Sequence, residues 1–78
     1  MLLSRPDCHL CEQMRRLLEQ ELPRLGESFE VLDVDSSSEW RSRFSDVVPV
    51  LLRDGRAVAK VRLDREGLRR IVRRSRVP

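Results

Sequence analysis

Cys8-His9-Leu10-Cys11 stands where the hydrophobic period of the chain changes. Ahead of it lies a very short apolar run, Met1–Ser4, closed by Arg5-Pro6-Asp7. Behind it, Leu10, Met14, Leu17, Leu18 and Leu22 recur at helical spacing and fall on one face of a 3.6-residue repeat. The pattern predicts a strand that starts with the first residue, then a helix over roughly residues 9–22, ended by Pro23 and Gly26. Both cysteines then sit at a strand-to-helix junction, and that placement restricts the fold more than any other feature.

The rest of the chain continues the alternation. Residues 29–34, Phe-Glu-Val-Leu-Asp-Val, are rich in β-formers and predict a second, mostly buried strand. Asp35-Ser36-Ser37-Ser38 offers several N-caps for a short helix that carries Trp40 and Phe44. Val47–Leu52 predicts a buried strand entered through Pro49, a residue without a ladder donor. Asp54-Gly55 between apolar runs is a two-residue hairpin signal, which makes Ala57–Val61 an antiparallel partner. Asp64 is placed to cap a last helix with Leu68, Ile71 and Val72 facing inward and Arg65, Arg69, Arg70, Arg73 and Arg74 outward. The order is β-α-β-α-β-β-α. A right-handed crossover makes the first two strands parallel and the hairpin makes the last antiparallel, giving an α/β single domain with a four-stranded mixed sheet and three flanking helices.

The length of 78 residues fits one domain with a thin core, because a chain of this size buries only about 60% of its unfolded surface. No stretch is long and apolar enough to span a bilayer, and the first residues lack the basic and apolar regions of a signal peptide. A cytoplasmic location with no membrane partner is expected. The formal charge of +3 hides an asymmetry: residues 1–39 carry a net −5 and residues 40–78 a net +8, with Lys60 the single lysine. Arginines on the outer face of a terminal helix, with no interleaved aromatics and no recognition motif, read as a solvated surface rather than a nucleic-acid site. Trp40 reads as packing for the second helix.

The cysteine pair carries the chemistry. A disulfide across so short a loop restricts the unfolded chain very little, so a stabilising bridge is a poor explanation. A closed structural zinc site needs four ligands, whereas the chain supplies two cysteines and His9 within the same turn; no metal is expected within one chain. Two packed, inert cysteines are the plain alternative. A thiolate at a helix N-terminus is favoured by unpaired N–H groups and the helix dipole. The two-residue gap brings Cys11 within reach of a mixed disulfide on Cys8. Cys8 is therefore expected to be the exposed attacking thiol and Cys11 the partly buried resolving one. Arg5, a permanent cation, and His9 are the candidate thiolate-stabilising residues, although the helix terminus that favours a thiolate disfavours an imidazolium. Each also has a plain reading as a solvated surface side chain.

With these residues in view the chain resembles a glutaredoxin, a member of the thioredoxin superfamily. Arg5-Pro6-Asp7-Cys8-His9-Leu10-Cys11 is similar to the family's basic residue, spacer and CxxC pattern, and is nearest to a group of short bacterial glutaredoxin-like proteins. Val48-Pro49-Val50 followed by Asp54-Gly55 resembles its proline, strand and turn segment, and the order of elements matches along nearly all of the chain. The resemblance implies a thioredoxin-like fold and a thiol-disulfide oxidoreductase that reduces disulfides through the dithiol. It implies that Pro49 follows a cis peptide bond and that Val48 offers its backbone to an extended substrate. It implies as partners a disulfide-containing protein or a glutathione mixed disulfide, with no bound cofactor and with glutathione or a thioredoxin-type reductase as reductant. Glutathione-binding members carry a Gly-Gly pair and an acidic residue after the hairpin. Here Lys60-Val61-Arg62-Leu63-Asp64 lacks the pair, and Asp64 alone stands near a matching position, with Arg62 a further carboxylate-binding candidate. The alternative on the same fold is a non-catalytic binding protein, or a metal or iron–sulfur site shared between two chains through Cys8.

Overall fold

The structure is a computed structural model and describes residues 1–76. Four strands and three helices follow the expected order. They are β1 (Leu2–Ser4), α1 (His9–Glu21), β2 (Val31–Asp33), α2 (Ser38–Phe44), β3 (Val50–Arg53), β4 (Arg56–Lys60) and α3 (Arg65–Arg76). Single 3-10 turns follow α1 at Pro23–Leu25 and β2 at Val34–Ser36. The sheet runs β2-β1-β3-β4, with β1 parallel to β2 and the other two pairs antiparallel. No helix among the described residues is long and apolar enough to cross a membrane.

Two small cores lie on opposite faces of this sheet. Leu2 points into one with Met14, Leu18 and Leu22 of the α1 segment, Leu51, and Leu68 and Val72 of α3. Leu3 points into the other with Val34, Phe44 of α2, Val50 and Leu52, and Trp40 packs at its margin. Successive residues of a strand face opposite sides, so a central strand covered on both faces is apolar without alternation. Leu2 and Leu3 are both fully buried for that reason. Each such side chain contributes about 1.5–3 kcal/mol by leaving water.

The second strand is shorter and more exposed than its composition predicts. Only Val31–Asp33 pairs, and Val31 is 42% exposed. β2 is an edge strand bonded to β1 alone, and the 3-10 turn beyond Asp33 removes Val34 from the ladder while burying it. Pro49 likewise delays β3: Val47 donates its N–H to Phe44 O at the end of α2, and pairing begins only at Val50. In the hairpin, Asp54 and Gly55 both have positive φ, 51° and 79°, the backbone that this two-residue turn requires. α2 takes Ser37 as its cap, through Trp40 N–H to Ser37 Oγ at 3.2 Å. α3 takes Asp64, which accepts from Gly67 N–H at 2.8 Å. Leu68 and Val72 of α3 are buried as expected, but Ile71 is only half-buried, because it lies toward β4, where the layer thins.

Candidate functional site: the dithiol and its surroundings

Asp7 adopts a left-handed backbone, φ 57°, and this turn delivers Cys8 to the N-cap of α1. Cys8 is extended, and its carbonyl accepts the helix's first bond from Glu12 N–H at 3.1 Å. Its Sγ accepts from the Cys11 backbone N–H at 3.3 Å, which satisfies one of the donors that a helix start leaves unpaired. A sulfur thus occupies the position that a serine or aspartate oxygen fills in an ordinary cap.

The two thiols have different environments. Cys8 is half-buried at the rim and Cys11 is 2% exposed. Burial pushes the Cys11 thiol up to about 11, with a further push from its hydrogen bond to the Cys8 side chain. The Arg5 backbone N–H and, more weakly, the Arg5 charge act in the opposite sense. Cys11 is therefore held as a neutral thiol at neutral pH. Both cysteines are free. Among the described residues no group of three or more His, Cys, Asp or Glu side chains is arranged to hold a metal ion.

The remaining candidates divide. The Arg5 guanidinium donates to Ser45 Oγ at 2.8 Å and lies 3.5 Å from Asp35 Oδ1, so it ties β1 to α2 and to the turn after β2. Its influence on the dithiol comes through the main chain and through charge. His9 is exposed and its Nε2 is 3.0 Å from Gln13 Nε2, one turn further along α1. Antiparallel pairing of Leu3 with Val50 sets the end of β1, from which the cysteine loop departs, beside the start of β3. The Val48–Pro49 peptide bond there is cis. No hydrogen bond to the N–H or C=O of Val48 occurs among the described residues, so that backbone is open to an incoming chain.

A groove of about 440 Å³ begins at Leu10, between the two cysteines, and runs along α1. α1 supplies Leu10, Gln13 and Met14, and the segment after β4 supplies Val61, Arg62, Leu63 and Asp64. Asp64 and Arg62 therefore do reach the neighbourhood of the dithiol helix. Two of the segment's four backbone N–H groups are engaged within the fold. Val61 donates its N–H to Pro49 O at 2.8 Å, Arg62 N–H bonds Lys60 O at 2.7 Å, and Asp64 Oδ1 holds Gly67 N–H. Val61 does so with φ 67°, a conformation that glycine adopts readily and a β-branched residue resists. This turn, and the role of Ser45 and Asp35 as anchors of Arg5, carried no signal in the sequence.

Strand order, a dithiol capping the first helix and a cis-proline opening the third strand define a thioredoxin-fold protein of the α/β class. The family model described as Glutaredoxin-like domain (DUF836) matches residues 1–73. The chain belongs to that family. Searches of the curated proteins and of the solved structures find no significant match.

Proposed function

We propose that the protein is a dithiol oxidoreductase that reduces disulfides of polypeptide substrates, with Cys8 as nucleophile and Cys11 as resolving thiol. The observation that carries this reading is the asymmetry of the pair: a half-buried Cys8 sulfur that accepts from a helix N–H, against a buried Cys11 whose proton is held to about 11. Of the two, Cys8 is the sulfur equipped to bear charge and to meet a substrate.

The cycle balances without a cofactor. The Cys8 thiolate attacks one sulfur of a substrate disulfide, forms a mixed disulfide and expels the other sulfur as a thiolate, which takes a proton. Cys11 then gives up its proton and attacks Cys8 Sγ. A Cys8–Cys11 disulfide forms, and the second substrate sulfur leaves and is protonated. The substrate gains two electrons and two protons, and the protein is oxidised by the same amount. Glutathione or a thioredoxin-type reductase restores the dithiol. The open backbone of Val48 aligns an extended segment in the manner of an added strand. Arg5 and the helix terminus stabilise charge at the dithiol, and His9 lies at its solvent rim.

The absence of a Gly-Gly pair from the 61–64 turn, and the use of the Val61 and Arg62 N–H groups within the fold, support polypeptide disulfides over glutathione mixed disulfides as substrates. The reading also places the protein in a reducing compartment such as the cytoplasm, where a dithiol is recharged.

The test is the pH dependence of Cys8 alkylation in the reduced protein, with Cys8→Ser as control. A rate that reaches its plateau well below pH ~8.5, the ordinary cysteine midpoint, supports an activated thiolate. A midpoint at or above that value overturns the mechanism.

A further inference from the structure

β4 pairs irregularly with β3. Leu51 faces Ala59 and Leu52 faces Ala57, so Val58 is the extra residue of a bulge. The bulge turns Val58 toward α3 and leaves it 36% exposed beside a half-buried Ile71. Between them a slot of about 280 Å³ reaches the Leu68 and Val72 layer of the core. It opens outward into a groove of about 760 Å³ whose rim carries Arg56 from β4 and Arg74 from α3.

We propose that this groove is a docking site for an acidic polypeptide segment that carries one branched aliphatic residue. The aliphatic side chain enters the slot beside Val58, and carboxylates on either side of it meet the rim arginines. Three observations support that occupant.

The first is charge. Arg56 and Arg74, which line the outer groove, have no carboxylate or other partner among the described residues. Arg53 is paired with Glu27 at 2.8 Å, yet its Nε is buried with no acceptor. Asp54 is the single acidic residue lining the outer groove. The rim therefore offers two unpaired guanidinium groups, Arg56 and Arg74, that suit carboxylates.

The second is the slot's apolar wall of Leu51, Val58, Leu68, Ile71 and Val72, beside which Glu27, already paired with Arg53, and Asp54 also line the cavity. A cavity of about 150 Å³ lined by aliphatic side chains already accepts a benzene-sized guest, so the slot has room for a leucine-sized anchor. A phosphate backbone has no use for such a wall. The outer groove also contains no aromatic residue on which a base would stack. The same comparison disfavours a membrane: the apolar stripe of α3, Leu68 and Val72, is 1% and 3% exposed and already committed to the core.

The third is place. Arg53 and Pro49 flank opposite ends of β3, about 13 Å apart at ordinary strand rise. A segment in this groove leaves the dithiol open. The edge of β4 itself is poorly suited to strand addition, because its bulge and its Arg56 and Lys60 interrupt a flat edge. Docking is expected to use side chains in the groove.

The experiment uses the full chain and a pool of fluorescent 12-residue peptides rich in Glu and Asp, each with one central Leu, Ile or Val. Saturable binding is expected. It should fall about tenfold when Arg56 and Arg74 are both changed to Glu, and about fivefold when the central residue of the peptide is Ser. Amide shifts should move at residues 56–59 and 70–74, and the alkylation rate of Cys8 should not change in the R56E/R74E variant. Absence of saturable binding, equal binding of the Ser-centred pool, tighter binding of a single-stranded oligonucleotide of equal charge, or shifts confined to the groove of Leu10 and Asp64 would each overturn the proposal.

Discussion

Val61 donates its backbone N–H to the carbonyl of Pro49 at 2.8 Å, and so ties the turn after β4 to the residue that opens β3. To make this bond Val61 holds φ at 67°. A β-branched side chain in that region stores on the order of 1–3 kcal/mol.

Val61→Gly is therefore expected to stabilise the protein, by up to about 1 kcal/mol once the greater freedom of glycine in the unfolded chain is subtracted. Urea unfolding of the reduced protein measures it. A loss of stability equal to that of Val61→Ala would mean that the turn is not strained.

The Cys11 thiol predicts a dependence of stability on alkaline pH. Its folded-state value is raised to about 11, chiefly because burial disfavours the thiolate. The folded chain thus holds the proton more tightly than the unfolded one. The contribution, on the order of 2 kcal/mol, is fully present below pH ~9 and disappears as pH rises through ~11. Under reducing conditions the unfolding midpoint of the wild type should drop across this window more steeply than that of Cys11→Ala. Parallel curves would rule the cause out.

If Cys8 attacks and Cys11 resolves, Cys11→Ser accumulates a mixed disulfide on Cys8 after exposure to a protein disulfide, and Cys8→Ser accumulates none. Intact-mass spectrometry reads both. A stable adduct on Cys11 in the Cys8→Ser variant would reverse the assignment.

Glu21 is a buried carboxylate, 3% exposed, near the end of α1. Arg65 Nε lies 3.4 Å and Arg69 Nη2 3.9 Å from its oxygens, so α3 brings its cations to it. Removing both arginines leaves a charge facing the core and should lower stability by about 1–3 kcal/mol. Glu21→Met, which removes the charge and keeps the volume, should cost less than the double arginine variant in thermal unfolding. The opposite ranking would show that the pair itself, and not the stranded charge, carries the effect.

How much of this was legible in the sequence depended on whether the signal was local. The cysteine junction was readable because the hydrophobic period changes there, and the hairpin because Asp54-Gly55 admits few other backbones. The exposure of Val31 was not. Its run of β-formers looks the same in an edge strand as in a central one, and only the sheet order distinguishes them. Val61 gave no sign of a left-handed backbone, because the reason for it is a carbonyl twelve residues earlier in the chain. Arg5 is legible in the sequence as a permanent cation before the dithiol, but its anchors are not, because Ser45 lies forty residues away.

The position of β1 in the sheet has a consequence for the order in which the chain becomes structured. Its three residues are the hub between β2 and β3, and Leu2 meets both Val31 and Leu51. β1 thus waits for two strands that follow it in the chain before it has anything to pair with. No N-terminal fragment holds a hydrophobic interior of its own, because Leu2 and Leu3 complete cores whose other walls come from α3 and from β3. Long-range pairing of this kind slows folding, because the loops between β1 and its partners must close before the contacts form, and both cores then assemble together.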